Sequence, residues 1–353
     1  MRKIIHIDMD CFFAAVEARD DESLRNIPIA IAGRSERSVV STCNYIAREY
    51  GVRSAMSVKR ALQLCPHLTL VASRMSVYQQ VSEQLRSIFY RYTELVEPLS
   101  LDEAYLDVTD SQQCGGSATL IAQQIRRDIQ NELSLTASAG IATNKFLAKI
   151  ASDENKPNGQ YVIAPADVSQ FVEQLPLAKI PGVGPKTLTK LQRHGLQTCA
   201  DVRACEVKQL TRLFGKFGMS LYQRAHGIDE SPVQPSRERK SLALETTLMD
   251  DISGLSECLS AVNQLIPKFE QRLSRVTHRQ IKSQGVKVKF NDFSQTTVEN
   301  TTHVLDKAML AEQLERALAR GSGKKVRLLG LHVMFKSVDR ATDTKPQLSL
   351  DLS

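Results

Sequence analysis

A short apolar run over residues 3–8 predicts a strand, and after Asp10 the apolar positions switch to helical spacing through Phe12, Phe13 and Val16. Asp8 therefore falls at a strand end. Residues 28–32 predict a second strand ahead of a polar turn, and residues 39–42 lead into a helix that Gly51 closes. Residues 85–92 carry a helical pattern, and residues 97–108 alternate as strand, tight bend and strand, with Asp102 and Glu103 on the bend. An amphipathic helix over 117–133 precedes a strand at 136–141 and a helix at 145–152, which runs out near Asn155-Lys156-Pro157-Asn158-Gly159. Strands and helices mix without strict βαβ regularity, so the expectation is a mixed α+β sheet.

From residue 167 to 227 the strand pattern disappears and short helices alternate with glycine turns, as in a separate helical domain. Residues 231–239 form a polar, proline-bearing linker. Beyond it, strands at 241–248, 286–290, 296–302 and 327–335 and helices at 255–276 and 307–319 make two strand-helix-strand cycles, a second α+β domain. Residues 341–353 are too short and polar to fold alone.

Composition narrows the function classes. A chain of 353 residues exceeds one ordinary core and suggests roughly two to four compact units. No signal peptide and no membrane-spanning stretch is read, so a cytoplasmic protein is expected. The seven cysteines show no C-x-x-C pair and no His-x-x-x-His partner, which argues against zinc and against a disulfide framework. Net charge is +7, and the stretch from Ser236 to Arg340 concentrates it, with 18 basic against 12 acidic residues. Such a concentration suits a surface that meets a polyanion, nucleic acid first, because neutralised phosphates release counterions.

The chemistry rests on carboxylates. Asp8 ends one strand and Asp102 and Glu103 share a bend; if the two strands are neighbours, the three acids converge. Clustered acids repel unless cations lie between them, and Mg²⁺ is typically held by one or two carboxylates plus substrate phosphates. Paired ions ~3.5 to 4 Å apart would neutralise the attacking and leaving oxygens of a phosphoryl displacement. Asp10 and Asp107 read instead as a helix cap or edge-strand polarity.

Three motifs then become specific: Ile7-Asp8-Met9-Asp10-Cys11-Phe12-Phe13-Ala14, Ser41-Thr42-Cys43-Asn44-Tyr45-Ile46-Ala47-Arg48 and Ser100-Leu101-Asp102-Glu103-Ala104-Tyr105-Leu106-Asp107. In order and spacing they resemble the Y-family DNA polymerases, over essentially the whole chain. The resemblance implies an α+β multidomain right-hand polymerase that bypasses lesions with low fidelity. Its parts would be a mixed-sheet palm (1–10 and 73–165), small fingers (11–72), a helical thumb (166–230), a linker (231–240), an α+β little finger (241–340) and a flexible tail (341–353). Asp8, Asp102 and the Met9 carbonyl would hold two Mg²⁺, with Glu103 completing the site near the primer 3′ hydroxyl. Phe13, beside Phe12, matches the steric gate against a ribose hydroxyl. Thr42, Tyr45 and Arg48, spaced to share a sector if helical, match the triphosphate contacts, as does Lys156. Members often carry other residues around Tyr45 than Cys43-Asn44 and Ile46.

The run Ile180-Pro181-Gly182-Val183-Gly184-Pro185-Lys186 resembles a helix-hairpin-helix turn, in which Gly182 and Gly184 let backbone amides approach a DNA phosphate at a helix start and Lys186 adds charge. Between residues 266 and 290, Lys268, Arg272, Arg275, Arg279, Lys282, Lys287 and Lys289 oppose only Glu270, a pattern that grips phosphates without reading bases. No aromatic-rich stacking platform accompanies them. Gln347, Leu348, Leu350 and Leu352 resemble the peptide that docks on a sliding clamp. Primer-template DNA, dNTPs and the clamp are thus the expected partners of a monomer, and no segment remains for a proofreading nuclease. A nucleotidyl cyclase would not need the hairpin or the basic domain, and a silent DNA-binding factor would not need the acids.

Overall fold

The computed structural model describes residues 1–35 and 37–337, which fall into two compact units, Met1–Ser236 and a second that begins at Arg237. In the first unit, β1 (Ile4–Met9) leads into α1 (Phe12–Asp20), followed by β2 (Ile29–Ile31), β3 (Thr42–Cys43), α2 (Tyr45–Glu49), α3 (Val58–Leu64) and β4 (Thr69–Val71). Then come α4 (Met75–Phe89), β5 (Val96–Pro98), β6 (Glu103–Asp107), α5 (Ala118–Leu133), β7 (Ala137–Ala142), α6 (Lys145–Glu154) and β8 (Gln160–Val162). The five-stranded sheet has the order β5-β6-β1-β7-β8, so β1 is central and antiparallel to both neighbours. A small sheet, β3-β2-β4, pairs β2 with β4 in parallel. Pattern reading located neither β4 nor β8, each a three-residue parallel partner at a sheet edge.

The alternation of β1 sets the architecture. Ile5, Ile7 and Met9 point into a core closed by Val81, Leu85 and Ile88 of α4 and Ile121, Ile125 and Ile129 of α5. Ile4, His6 and Asp8 take the opposite face, where α6 lies. Gly140, opposite His6 in the β1–β7 register, makes that close approach possible: a Cβ there would collide with the backbone of Ala148 and Ser152 in α6. Five short helices, α7 (Val168–Glu173), α8 (Pro185–Arg193), α9 (Cys199–Arg203), α10 (Val207–Phe214) and α11 (Lys216–Ala225), share a core that includes Leu177, Leu191, Leu210 and Leu221, matching the loss of strand pattern there.

The second unit runs β9 (Ser241–Ile252), α12 (Gly254–Leu273), β10 (Ile281–Phe290), β11 (Gln295–Thr301), α13 (Lys307–Ala319) and β12 (Val326–Phe335). Its antiparallel sheet has the order β11-β10-β12-β9, and Phe269, Leu314, Val288 and Leu331 centre its core. No helix among the described residues is long and apolar enough to cross a membrane.

Candidate active site

The register of β1 on β6 brings the acids together. Asp8 stands opposite Glu103, and the Met9 amide donates to the Asp102 carbonyl at 3.0 Å, which pins the bend against the end of β1. Asp102 occupies that bend, whereas Glu103 is already the first residue of β6. Among the described residues, His6, Asp8 and Glu103 form a set whose ligand atoms all lie within 4.8 Å of one another. Asp102 is not in that set; its carboxylate accepts from the Ser100 hydroxyl, and it lines a cavity together with Asp8.

Two lysines share the acids. Lys149 donates to Glu103, and Lys156 lies 3.0 Å from both Asp8 and Asp153. Burial pushes the Asp8 carboxyl up to about 6, against the pull of Lys156 and with a further push from Asp102 and Glu103. For Glu103 burial works in the same upward direction, but hydrogen bonds from His6 and Lys149 and the Lys149 charge override it and hold the carboxyl at about 2. His6 is fully buried, which drops its imidazole to about 4 and keeps it neutral. Its Nε2 lies 3.2 Å from Glu103 and its Nδ1 2.8 Å from the Ser152 hydroxyl; the acceptor-only carboxylate assigns the proton to Nε2. Both ring nitrogens are engaged, so the free donors facing the cavity are hard oxygens, the set that suits a divalent cation such as Mg²⁺.

The cavity, about 340 Å³, is lined by Asp8, Met9, Cys11, Phe12 and Phe13 together with Thr42, Tyr45, Arg48, Asp102 and Lys156. Phe12 buries its ring in the core, while Phe13 is partly exposed. Thr42, Tyr45 and Arg48 do not share one helix, as the spacing suggested. Thr42 belongs to β3, Asn44 caps α2 by accepting from the Ala47 amide at 3.0 Å, and Tyr45 is the first helical residue. The Asn44 side chain also accepts from the Ile29 amide and donates to Ile27, so it fixes the helix to its strand. The Arg48 guanidinium stacks 4.6 Å from the Tyr45 ring centre. A larger cavity of about 440 Å³, beside Glu154, Tyr161, Phe171 and Lys179, has no comparable set of acids.

Asp10 corrects the sequence reading. It is neither a cap nor an edge residue: only 2% exposed, it accepts from the Ser138 hydroxyl at 2.8 Å, the Asn158 amide at 2.8 Å and the Tyr45 hydroxyl at 3.3 Å. Asp107 lies on an interior strand and accepts from Thr109, closing a turn just past the strand end. His6, Lys149 and Ser152 were also missed; the hint available was a histidine two residues before Asp8, on the same strand face.

Gly182 adopts a positive φ of 93° and Gly184 precedes α8, whose first residue is Pro185; both glycines and Lys186 are exposed. In the second unit Arg272 and Arg275 are exposed, whereas Arg279 packs over Phe335 and binds Glu238. Lys287 reaches Glu245 at 2.9 Å across Gly330, and Lys289 lies 4.7 Å from the ring of Phe293, which also meets Arg327. Gln347, Leu348, Leu350 and Leu352 lie outside the described residues.

Comparison with known proteins agrees along the chain. Residues 7–153 match the impB/mucB/samB family, residues 178–229 the thumb domain of DNA polymerase iota, and residues 239–350 the impB/mucB/samB C-terminal domain. The chain is 56% identical to DNA polymerase IV of Colwellia psychrerythraea strain 34H over 99% of both chains. It is 57% identical to DNA polymerase IV of Escherichia coli K12, covering 94% of this chain and 96% of that one. A Y-family DNA polymerase chimera of Dbh and Dpo4 superposes with a TM-score of 0.87 at 27% identity over 94% and 98% of the two chains. An insertion ternary complex of Dbh DNA polymerase gives 0.66 at 26% identity over 96% and 100%.

Proposed function

The chain belongs to the Y-family DNA polymerases, and on that premise we propose which of its residues hold metal, nucleotide and DNA during synthesis across damaged template. It is a DNA-directed DNA polymerase that depends on divalent metal and works on primer-template DNA and dNTPs. Asp8, Asp102 and the Met9 carbonyl would hold two Mg²⁺, and Glu103 would stand toward the primer 3′ hydroxyl. The ions, when bound, neutralise charge on the attacking and leaving oxygens. What remains for the protein is positioning, since phosphoryl transfer asks little covalent chemistry of it. Thr42, Tyr45, Arg48 and Lys156 would receive the triphosphate, and Phe13 would stand against C2′ of the sugar.

The observation that carries this reading is the register that sets Asp8 opposite Glu103 and ties Met9 to Asp102 beside a cavity lined with cationic and hydroxyl groups. The same reading makes Lys156 a shared group. It sits on Asp8 at 3.0 Å and would pass to a phosphate once a cation neutralises that acid. Primer extension with Mg²⁺ and four dNTPs tests the assignment: Asp102→Ala should abolish extension and leave duplex binding within about threefold. Extension by that variant would remove Asp102 from the metal site.

The domain bounds follow the same reading: palm 1–10 and 73–165, fingers 11–72, thumb 166–230 and little finger 241–340. Gly182, Gly184 and Lys186 would grip one phosphate, and Arg272, Arg275, Lys287 and Lys289 others. The terminal Gln347, Leu348, Leu350 and Leu352 would dock on the sliding clamp, and the enzyme would act as a cytoplasmic monomer.

A further inference from the structure

Phe13 and Glu17 lie one turn apart on α1, and Arg74 and Tyr78 one turn apart at the start of α4, so two i, i+4 pairs face each other. The Tyr78 ring stacks on Phe13 with centroids 4.1 Å apart and planes 11° from parallel. Its hydroxyl donates to the Glu17 carboxylate at 2.5 Å. Arg74 closes the far side: its Nε is 2.9 Å from both Glu17 oxygens and another nitrogen is 2.7 Å from Asp20. Tyr78 is fully buried and Glu17 is 5% exposed, surroundings in which hydrogen bonds to a charged group are strong.

A stacked pair held by dispersion alone can slide, because an offset stack has a shallow optimum. The hydroxyl bond removes that freedom by fixing Tyr78 at its far end. Neither Glu17 nor Arg74 lines the cavity, and the side-chain contact that links them to a residue that does is the Tyr78 ring on Phe13.

We propose that Glu17 and Arg74 are positioning residues for sugar selection: they lock Tyr78, and Tyr78 sets how far the Phe13 ring stands into the space beside C2′ of the incoming nucleotide. This rests on the reading of Phe13 as the group that excludes a ribose hydroxyl. Deoxyribonucleoside and ribonucleoside triphosphates differ there by one oxygen, so a sub-ångström retreat of the ring is enough to blur the distinction.

The test is single-nucleotide insertion of a dNTP and its matched rNTP opposite one template base, read as the ratio of the two kcat/KM values. Phe13→Val should collapse that ratio. Glu17→Leu and Tyr78→Phe should each lower it about tenfold, less than the loss that an ångström-scale misplacement brings. Their combination should cost no more than either alone. Glu17→Gln, which still accepts from the Tyr78 hydroxyl, should recover most of the loss. If Phe13→Val collapses the ratio while Glu17→Leu and Tyr78→Phe keep it, the clamp is only structural and the inference is overturned with the gate intact. If Phe13→Val keeps the ratio, the gate reading itself fails and takes the inference with it. Should Glu17→Leu not fold, Tyr78→Phe removes a single oxygen and carries the test.

Discussion

The buried carboxylate of Asp10 joins three segments beside the cavity that Asp8 and Asp102 line, and its worth can be worked out bond by bond. Ser138 is fully buried, so its hydroxyl, deprived of Asp10, could not turn to water; a stranded partner of a charged acceptor costs roughly 2 kcal/mol. Tyr45 lines the cavity and Asn158 is an exposed residue, so water can reach their donors once Asp10 is gone, which leaves roughly 0.5 to 1 kcal/mol each. Asp10→Ala should therefore destabilise the chain by roughly 3 to 4 kcal/mol. Ser138→Ala should cost about 1.5 kcal/mol, and the double variant should fall short of the sum by about 1.5 kcal/mol because the shared bond is lost only once. The chain has no tryptophan, so urea denaturation followed by circular dichroism is the natural measurement. Additivity within about 0.5 kcal/mol would show that the two side chains do not depend on each other and would refute the accounting. In the same variant KM for dNTP should rise, since Tyr45 and the segment carrying Lys156 both lose their anchor.

Gly140→Ala should destabilise by about 2 kcal/mol or more, because the added methyl meets α6 backbone, which has no flexible end to yield; a thermal midpoint equal to the parent's would contradict this. Asp292 is held at about 2 by Lys324 and Ser294, below the ordinary value of about 3.9. It therefore favours the folded chain above that ordinary value and loses the effect as pH falls through about 2. Asp292→Asn should thus lower the thermal midpoint at pH 6, with the gap closing toward pH 2.5; a gap independent of pH would speak against the ion pair. Deleting residues 347–353 should shorten products only when the clamp is present, and an equal loss without clamp would count against docking.

Much of this was legible because local pattern and tertiary placement agree. The strand ending at Asp8, the bend at Asp102 and the alternation of the last domain all follow from periods of two and 3.6. What sequence could not show is what crosses between elements. Asp10 reads as a cap because an acid before a helix usually is one, yet its partners come from β7, α2 and a loop nearly 150 positions away. Lys149 and Ser152 reach Glu103 and His6 only because Gly140 lets α6 settle onto the sheet, and no window of adjacent residues contains that fact. Thr42 and Tyr45 mislead differently: a spacing of three suggested one helix, but the Asn44 cap between them marks a boundary that capping preference could have revealed.

Asp102 is held in place by main-chain pairing, its carbonyl accepting from the Met9 amide, rather than by burial of its own side chain. Chemistry and architecture are therefore separable at this acid: a copy stripped of the Asp102 carboxylate keeps its frame. Such a copy would still settle on a primer terminus and stall there, so titrating an Asp102→Ala variant into the active enzyme should suppress extension in proportion to its share of the mixture. A lost acid would then poison its neighbours' work as well as its own.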